Sequence, residues 1–139
     1  MVNSTRQQND GSSRTPTIAV DARCLAETYR SGVGESAYHL LRRLPWLTPR
    51  LRYRYLWTNH RPVRLPELAA PNVEPLALPV PSKLLNATVR LVHRPRLDRL
   101  AAAQVVFLPS LQSVALAPRS GLAISLADLS FERSPEFIS

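Results

Sequence analysis

The stretch Thr17–Leu44, TIAVDARCLAETYRSGVGESAYHLLRRL, limits what this 139-residue chain can fold into more than any other. It opens with an apolar, β-branched run, Ile18-Ala19-Val20, that ends in a carboxylate, Asp21. A loop closing in Gly32-Val33-Gly34 follows. Apolar residues then recur at Ala37, Leu40, Leu41 and Leu44, one stripe on a helical period. Arg42 and Arg43 suit the negative end of a helix dipole, and Pro45 is expected to stop the helix. Strand, glycine loop and helix together make the opening unit of an open α/β sheet. Glycines at a helix N-terminus let backbone N–H groups approach a ligand closely, and the dipole there favours an anion such as phosphate. The pattern G-x-G-x-x-G is incomplete, because position 37 is alanine. A second reading therefore stays open, in which both glycines serve only a tight turn and close helix–sheet packing.

Beyond this unit, Arg50–Thr58 (RLRYRYLWT) alternates Tyr53, Tyr55 and Trp57 with Arg52 and Arg54, the period of a half-exposed strand. Rings packed on a helix explain the pattern, and so does a platform for single-stranded nucleic acid, the less favoured reading. Asn59–Pro71 holds three prolines and reads as loop or short irregular helix. Val73–Val80 carries Pro75 and Pro79, which confine a strand there to an edge. Ser82 is placed to cap a helix running to about His93, with Leu84, Leu85, Val89 and Val92 inward and Lys83, Arg90 and Arg94 opposite. Pro95 interrupts it, and a further turn or two spans Leu97–Ala103. Gln104–Leu108 (QVVFL) and Leu122–Leu126 (LAISL) read as buried strands of a parallel sheet, ending near Ser110 and Asp128. Ligands in such sheets bind beyond the carboxyl ends of the strands, so these loops should flank Gly32–Gly34. The predicted class is thus α/β, a Rossmann-like open parallel sheet with helices on both faces.

Length allows one domain. Met1–Pro16 is polar and aperiodic and reads as a disordered lead-in, leaving residues 17–139 as the folded unit. Ser134-Pro135-Glu136 is a good helix start close to the last residue, Ser139, so the domain is expected to be incomplete at its C-terminus. No apolar run has the length of a membrane span and no signal-peptide core is visible, so a cytoplasmic location is expected. A single cysteine, Cys24, excludes an internal disulfide framework, and no histidine partner marks it as a nucleophile. Net charge is +8, and 17 of the 18 basic residues are arginine. That balance suits anionic membranes, nucleic acid or phosphorylated ligands, and equally the codon usage of a GC-rich genome. His39, His60 and His93 lack metal-ligand spacing, so no metal is expected. Asn3-Ser4-Thr5 and Asn86-Ala87-Thr88 fit the glycosylation pattern by chance, given no export signal.

Four segments, IAVDAR, RSGVGESAYHLLRRLP, QVVFLPS and ISLADLSFERSPEF, resemble the N-terminal domain of family-4 glycosyltransferases with the GT-B fold. The resemblance spans nearly all of Thr17–Ser139, and its most specific part is the last segment, similar to the family's strand, His-Asp-Leu-Ser-Phe and Pro-Glu pattern. It implies the acceptor-side domain of a retaining, generally metal-independent sugar transferase, whose second domain binds the nucleotide-sugar donor. It implies further that Gly32, Val33 and Gly34 lie near the donor phosphates. Asp21 and Arg23 would shape the cleft floor, and Asp128 matches the aspartate of the family's His-Asp pair, while Ser110 is a candidate from its place after a strand end alone. Two positions depart from the family: Ala127 stands where the histidine before the aspartate belongs, and Leu108 where relatives often carry histidine. Neither side chain hydrogen-bonds a sugar hydroxyl or a developing charge.

The expected partners are therefore a sugar acceptor, a separate donor-binding domain or chain, and peripheral contact with the inner face of a membrane, without nucleic acid. No cofactor is expected, and a nucleotide sugar only together with a C-terminal domain. The chain alone is expected to be inactive and to expose apolar surface. The alternative is a non-catalytic basic module for anionic membrane lipid or a partner protein.

Overall fold

A computed structural model describes residues 14–26, 32–58 and 66–126. Five parallel strands form one sheet in the order β3-β2-β1-β4-β5. They are β1 (Thr17–Asp21), β2 (Arg52–Thr58), β3 (Val73–Leu78), β4 (Val105–Leu108) and β5 (Gly121–Ile124). Helix α1 (Gly32–Leu47) covers one face, while α2 (Ser82–Val92) and α3 (Leu97–Leu100) cover the other. This is the α/β, Rossmann-like open parallel sheet that the sequence predicts. The central strands of such a sheet meet helices on both faces, which is why β1 reads as an unbroken apolar run.

Side-chain alternation divides the core in two. Val20, Tyr53, Tyr55 and Trp57 pack beneath Ala37 and Leu41 of α1. Ala19, Leu56, Val106 and Leu108 pack against Leu97 and Ala101 on the opposite face. The register that pairs Ala19 with Val106 and Val20 with Phe107 keeps each set on its own face. Strand β2 is therefore covered on both faces rather than half-exposed, because it lies inside the sheet next to β1. Arg54 leaves the core sideways, donating from Nε to Glu74 at 2.9 Å and from Nη1 to the Ala101 carbonyl at 2.8 Å. The three rings of β2 are buried and present no face on which a base could stack.

Several boundaries differ from the sequence reading. Gly32-Val33-Gly34 is the first turn of α1, not the end of a loop. Pro45 does not stop the helix; it is buried within it. Proline lacks the N–H that would bond the Leu41 carbonyl one turn back. The Tyr55 hydroxyl takes that role, donating to the Leu41 carbonyl at 2.8 Å from the strand beneath. Asn72 meets the end of the helix, its amide donating to the carbonyls of Pro45, Thr48 and Leu51. Ser82 does not cap α2 with its side chain; Pro81 holds the N-cap position and the Ser82 hydroxyl bonds that of Thr58. Only Leu85 and Val89 of α2 are buried, whereas Leu84 and Val92 stay exposed, because no element lies over that flank of the helix among the described residues. Strand β5 is not buried: every residue of Gly121–Ile124 is exposed at the end of the sheet. Strand β3 lies at the other edge, as Pro75 and Pro79 predict. No described helix is long and apolar enough to cross a membrane.

Candidate functional site at the carboxyl edge

The chain runs outward from β1 to β2 to β3, then returns to place β4 on the other side of β1. In open α/β sheets such a reversal places ligands outside the carboxyl ends of the strands beside it, here β1 and β4. Asp21 is the last residue of β1, with none of its surface exposed. A 3-10 turn, Arg23–Leu25, follows immediately. The turn brings the Arg23 guanidinium back onto Asp21, donating from Nε at 2.8 Å to Oδ1 and from Nη2 at 2.5 Å to Oδ2. The Arg23 backbone N–H adds a third donor to Oδ1 at 3.2 Å. On its far side the guanidinium donates from Nη1 to Asn86 Oδ1 at 2.8 Å and from Nη2 to the Ser113 carbonyl at 3.2 Å. The planar fork thus ties β1, α2 and the segment after β4 together.

This arrangement decides what the pair can do. Both side chains are buried, and the charge of each is met by the other. Four of the five guanidinium N–H groups are engaged, so Arg23 presents little to an incoming phosphate. Asp21 and Arg23 fix the carboxyl end of β1 by binding each other. Asn86, which the sequence offers only as part of a chance glycosylation pattern, belongs to this cluster. The signal for it would have been its place on the inward flank of α2, one residue from Leu85.

Ser110 follows β4 on the other side of the switch point. Its hydroxyl is buried and has no hydrogen-bond partner among the described residues. A buried hydroxyl without a partner costs about 1–3 kcal/mol, so it is a group that a water, an ion or a ligand would satisfy. Leu108, two residues earlier, points into the core and offers a ligand nothing. Gly32 and Val33 are exposed at the start of α1, and Gly34 is buried. A Cβ at Gly32 would meet nothing within 4 Å, so neither tight packing nor an unusual turn accounts for this glycine. Asp128 and Ala127 lie outside the described residues, as do Met1–Ser13, His60 and the helix start at Ser134.

The basic stripe read from α2 divides in the structure. Lys83 and Arg90 border a shallow depression with Asn86 and Leu91, and Arg90 Nε reaches Ser113 Oγ at 3.4 Å. Arg94 turns the other way, into a groove between α2 and α3. His39 pairs with Glu35 on the exposed face of α1, at 3.1 Å. Cys24 is buried. Among the described residues no three His, Cys, Asp or Glu side chains converge as a metal site. Comparison of the chain with protein-family models, with characterised proteins and with solved structures found no match.

Proposed function

We propose that residues 17–139 form the acceptor-side half of a retaining glycosyltransferase. The observation that carries this reading is the switch point itself, where the Asp21–Arg23 pair closes the end of β1 and Ser110, whose buried hydroxyl has no hydrogen-bond partner among the described residues, follows β4. The resemblance of IAVDAR, GVGESAYHLLRRLP and the terminal ISLADLSFERSPEF to family-4 enzymes supports it. In the proposed reaction an acceptor hydroxyl oxygen bonds to the anomeric carbon of a donor sugar. The bond from that carbon to the nucleotide diphosphate breaks, and the hydroxyl proton leaves with the diphosphate. This chain's part is to seat the acceptor. The segment carrying Ser110 borders it after β4, and the exposed turn at Gly32-Val33 faces the donor phosphates from the N-terminus of α1.

Transfer itself needs groups this chain does not provide. Leu108 and Ala127 replace two histidines of the family pattern, so the donor sugar must be held by another domain or chain. The test is a titration of the isotope-labelled chain, followed by NMR. A saccharide panel is expected to shift the Ser110 and Gly32 amides, while nucleotide sugars leave them unmoved up to millimolar concentration. Submillimolar binding of a nucleotide sugar to this chain alone contradicts the division of labour. Saccharide shifts confined to other surfaces contradict the site.

A further inference from the structure

Helix α2 is amphipathic, yet one flank of its apolar side finds no partner. Leu85 and Val89 enter the core, while Leu84 and Val92 remain more than half exposed at 52% and 61%. These two residues form one wall of a groove of about 680 Å³. Leu78 and Val80, where the chain leaves β3, and Leu100 of α3 complete its apolar surface. The volume lies within the roughly 300–1,000 Å³ of small-molecule pockets. The groove is open to solvent and sits on the helix layer, apart from the switch point.

The polar residues of this groove are almost all of one sign. Arg94 and Arg96 line it from the link between α2 and α3, Arg99 lines it from α3 itself, and Thr88 is the remaining polar contributor. Among the described residues none of the three arginines is in an ion pair. An apolar trough bordered by three guanidinium groups with no ion-pair partner among the described residues is complementary to one kind of molecule, an apolar chain that ends in an anion. We infer that this groove binds a single-chain anionic amphiphile, with the chain along Leu78, Leu84 and Val92 and the phosphate or carboxylate head at Arg94, Arg96 and Arg99. The site is concave and takes one molecule. A bilayer surface would instead be met by the outward side of α2, where Lys83, Arg90 and Leu91 lie on a separate, shallower depression. The inference is independent of the transferase reading, because none of these residues belongs to the switch point at β1 and β4.

Calorimetric titration of the full chain with alkyl phosphates, kept below their micelle-forming concentrations, tests it. Octyl, decyl and dodecyl phosphate are expected to bind one per chain, about fourfold more tightly for each added methylene that the groove covers. Inorganic phosphate and a dodecyl chain with an uncharged sugar head are expected to bind at least tenfold more weakly than dodecyl phosphate. Replacing Arg94, Arg96 and Arg99 together by alanine should weaken dodecyl phosphate by about tenfold, the sum of three exposed ion pairs. Leu84→Glu is a second variant at an exposed position that the fold does not need, and it should weaken binding at least as much. Affinity that is equal for the wild type and both variants overturns the inference. So does binding that appears only with anionic vesicles, or a dimer that Leu84→Glu abolishes while dodecyl phosphate fails to bind.

Discussion

Replacing Arg23 by alanine should be the most damaging single change at the carboxyl edge, and the reason is electrostatic rather than one of packing. The Asp21 carboxylate has no exposed surface, and the guanidinium supplies three of its four close donor contacts. Removing that partner leaves a buried charge with one backbone N–H, at a cost of about 3–5 kcal/mol. Asn86 Oδ1 and the Ser113 carbonyl lose their donor in the same step. Domains of this size hold about 5–15 kcal/mol in total, so the variant should be close to unfolding. With a urea slope of about 1–2 kcal/mol/M, the midpoint should fall by about 2 M or more. Arg23→Lys keeps the charge without the bidentate fork and should lie between wild type and Arg23→Ala. Asp21→Leu combined with Arg23→Met removes both charges together and should recover more than half of the loss. Equilibrium unfolding, monitored by circular dichroism, measures all four proteins. A loss under about 1 kcal/mol for Arg23→Ala, or a double variant no more stable than the single one, refutes the account. Either result would free Arg23 for a ligand and return it to the list of binding residues.

Tyr55→Phe leaves the Leu41 carbonyl buried without a donor and should cost about 1–2 kcal/mol. In a Pro45→Ala background the restored amide N–H can bond that carbonyl, so the same change should cost less than half as much in a double-mutant cycle. Asp98 titrates below the usual carboxylate range. Burial would raise it, but donors from the Ser120 hydroxyl and the Ala117 amide outweigh that effect. Because the folded value lies below the unfolded value of about 3.9, the stabilisation is complete above that pH and is lost as pH falls through the folded value. Asp98→Asn should therefore flatten the acid limb of the stability profile, and Ser120→Ala should move the carboxyl titration seen by NMR upward. Trp57 is buried and Trp46 is 62% exposed, so acrylamide should quench only one of two emitting populations. Trp46→Phe should remove the quenchable one, and single-stranded oligonucleotides should leave the remaining emission unchanged.

The sheet was legible in the sequence because burial leaves a periodic trace. Alternating Tyr53, Tyr55 and Trp57 marked one face of β2, unbroken apolar runs marked β1 and β4, and two prolines marked β3 as an edge. Helix ends were less legible, since each depends on contacts distant in sequence. Pro45 reads as a stop until Tyr55, ten residues on, is seen to bond the carbonyl that proline leaves free. Asn72, at the start of β3, meets the last turn of α1 in the same way. Strand β5 shows the reverse case, in which LAISL carries the composition of a doubly covered strand and yet lies exposed at the sheet end. Composition records what a strand can bury, and position in the sheet decides whether anything is there to bury it.

The same distinction applies to the candidate site. Asp21 and Arg23 look like ligand groups in the sequence because charged residues at a strand end are conspicuous. In the fold each is the other's partner, and the conspicuous charges fix the end of β1 in place. The other features near the strand ends are quieter in sequence: a buried serine hydroxyl after β4 with no partner among the described residues, and an exposed glycine at the start of α1. Arg94, Arg96 and Arg99, which have no ion-pair partner among the described residues, lie apart from the switch point, beside the apolar side chains that α2 leaves in water. Burial, hydrogen bonding and charge thus separate one role from the other. A guanidinium with its donors engaged fixes structure, and a guanidinium beside exposed leucine and valine is placed to bind.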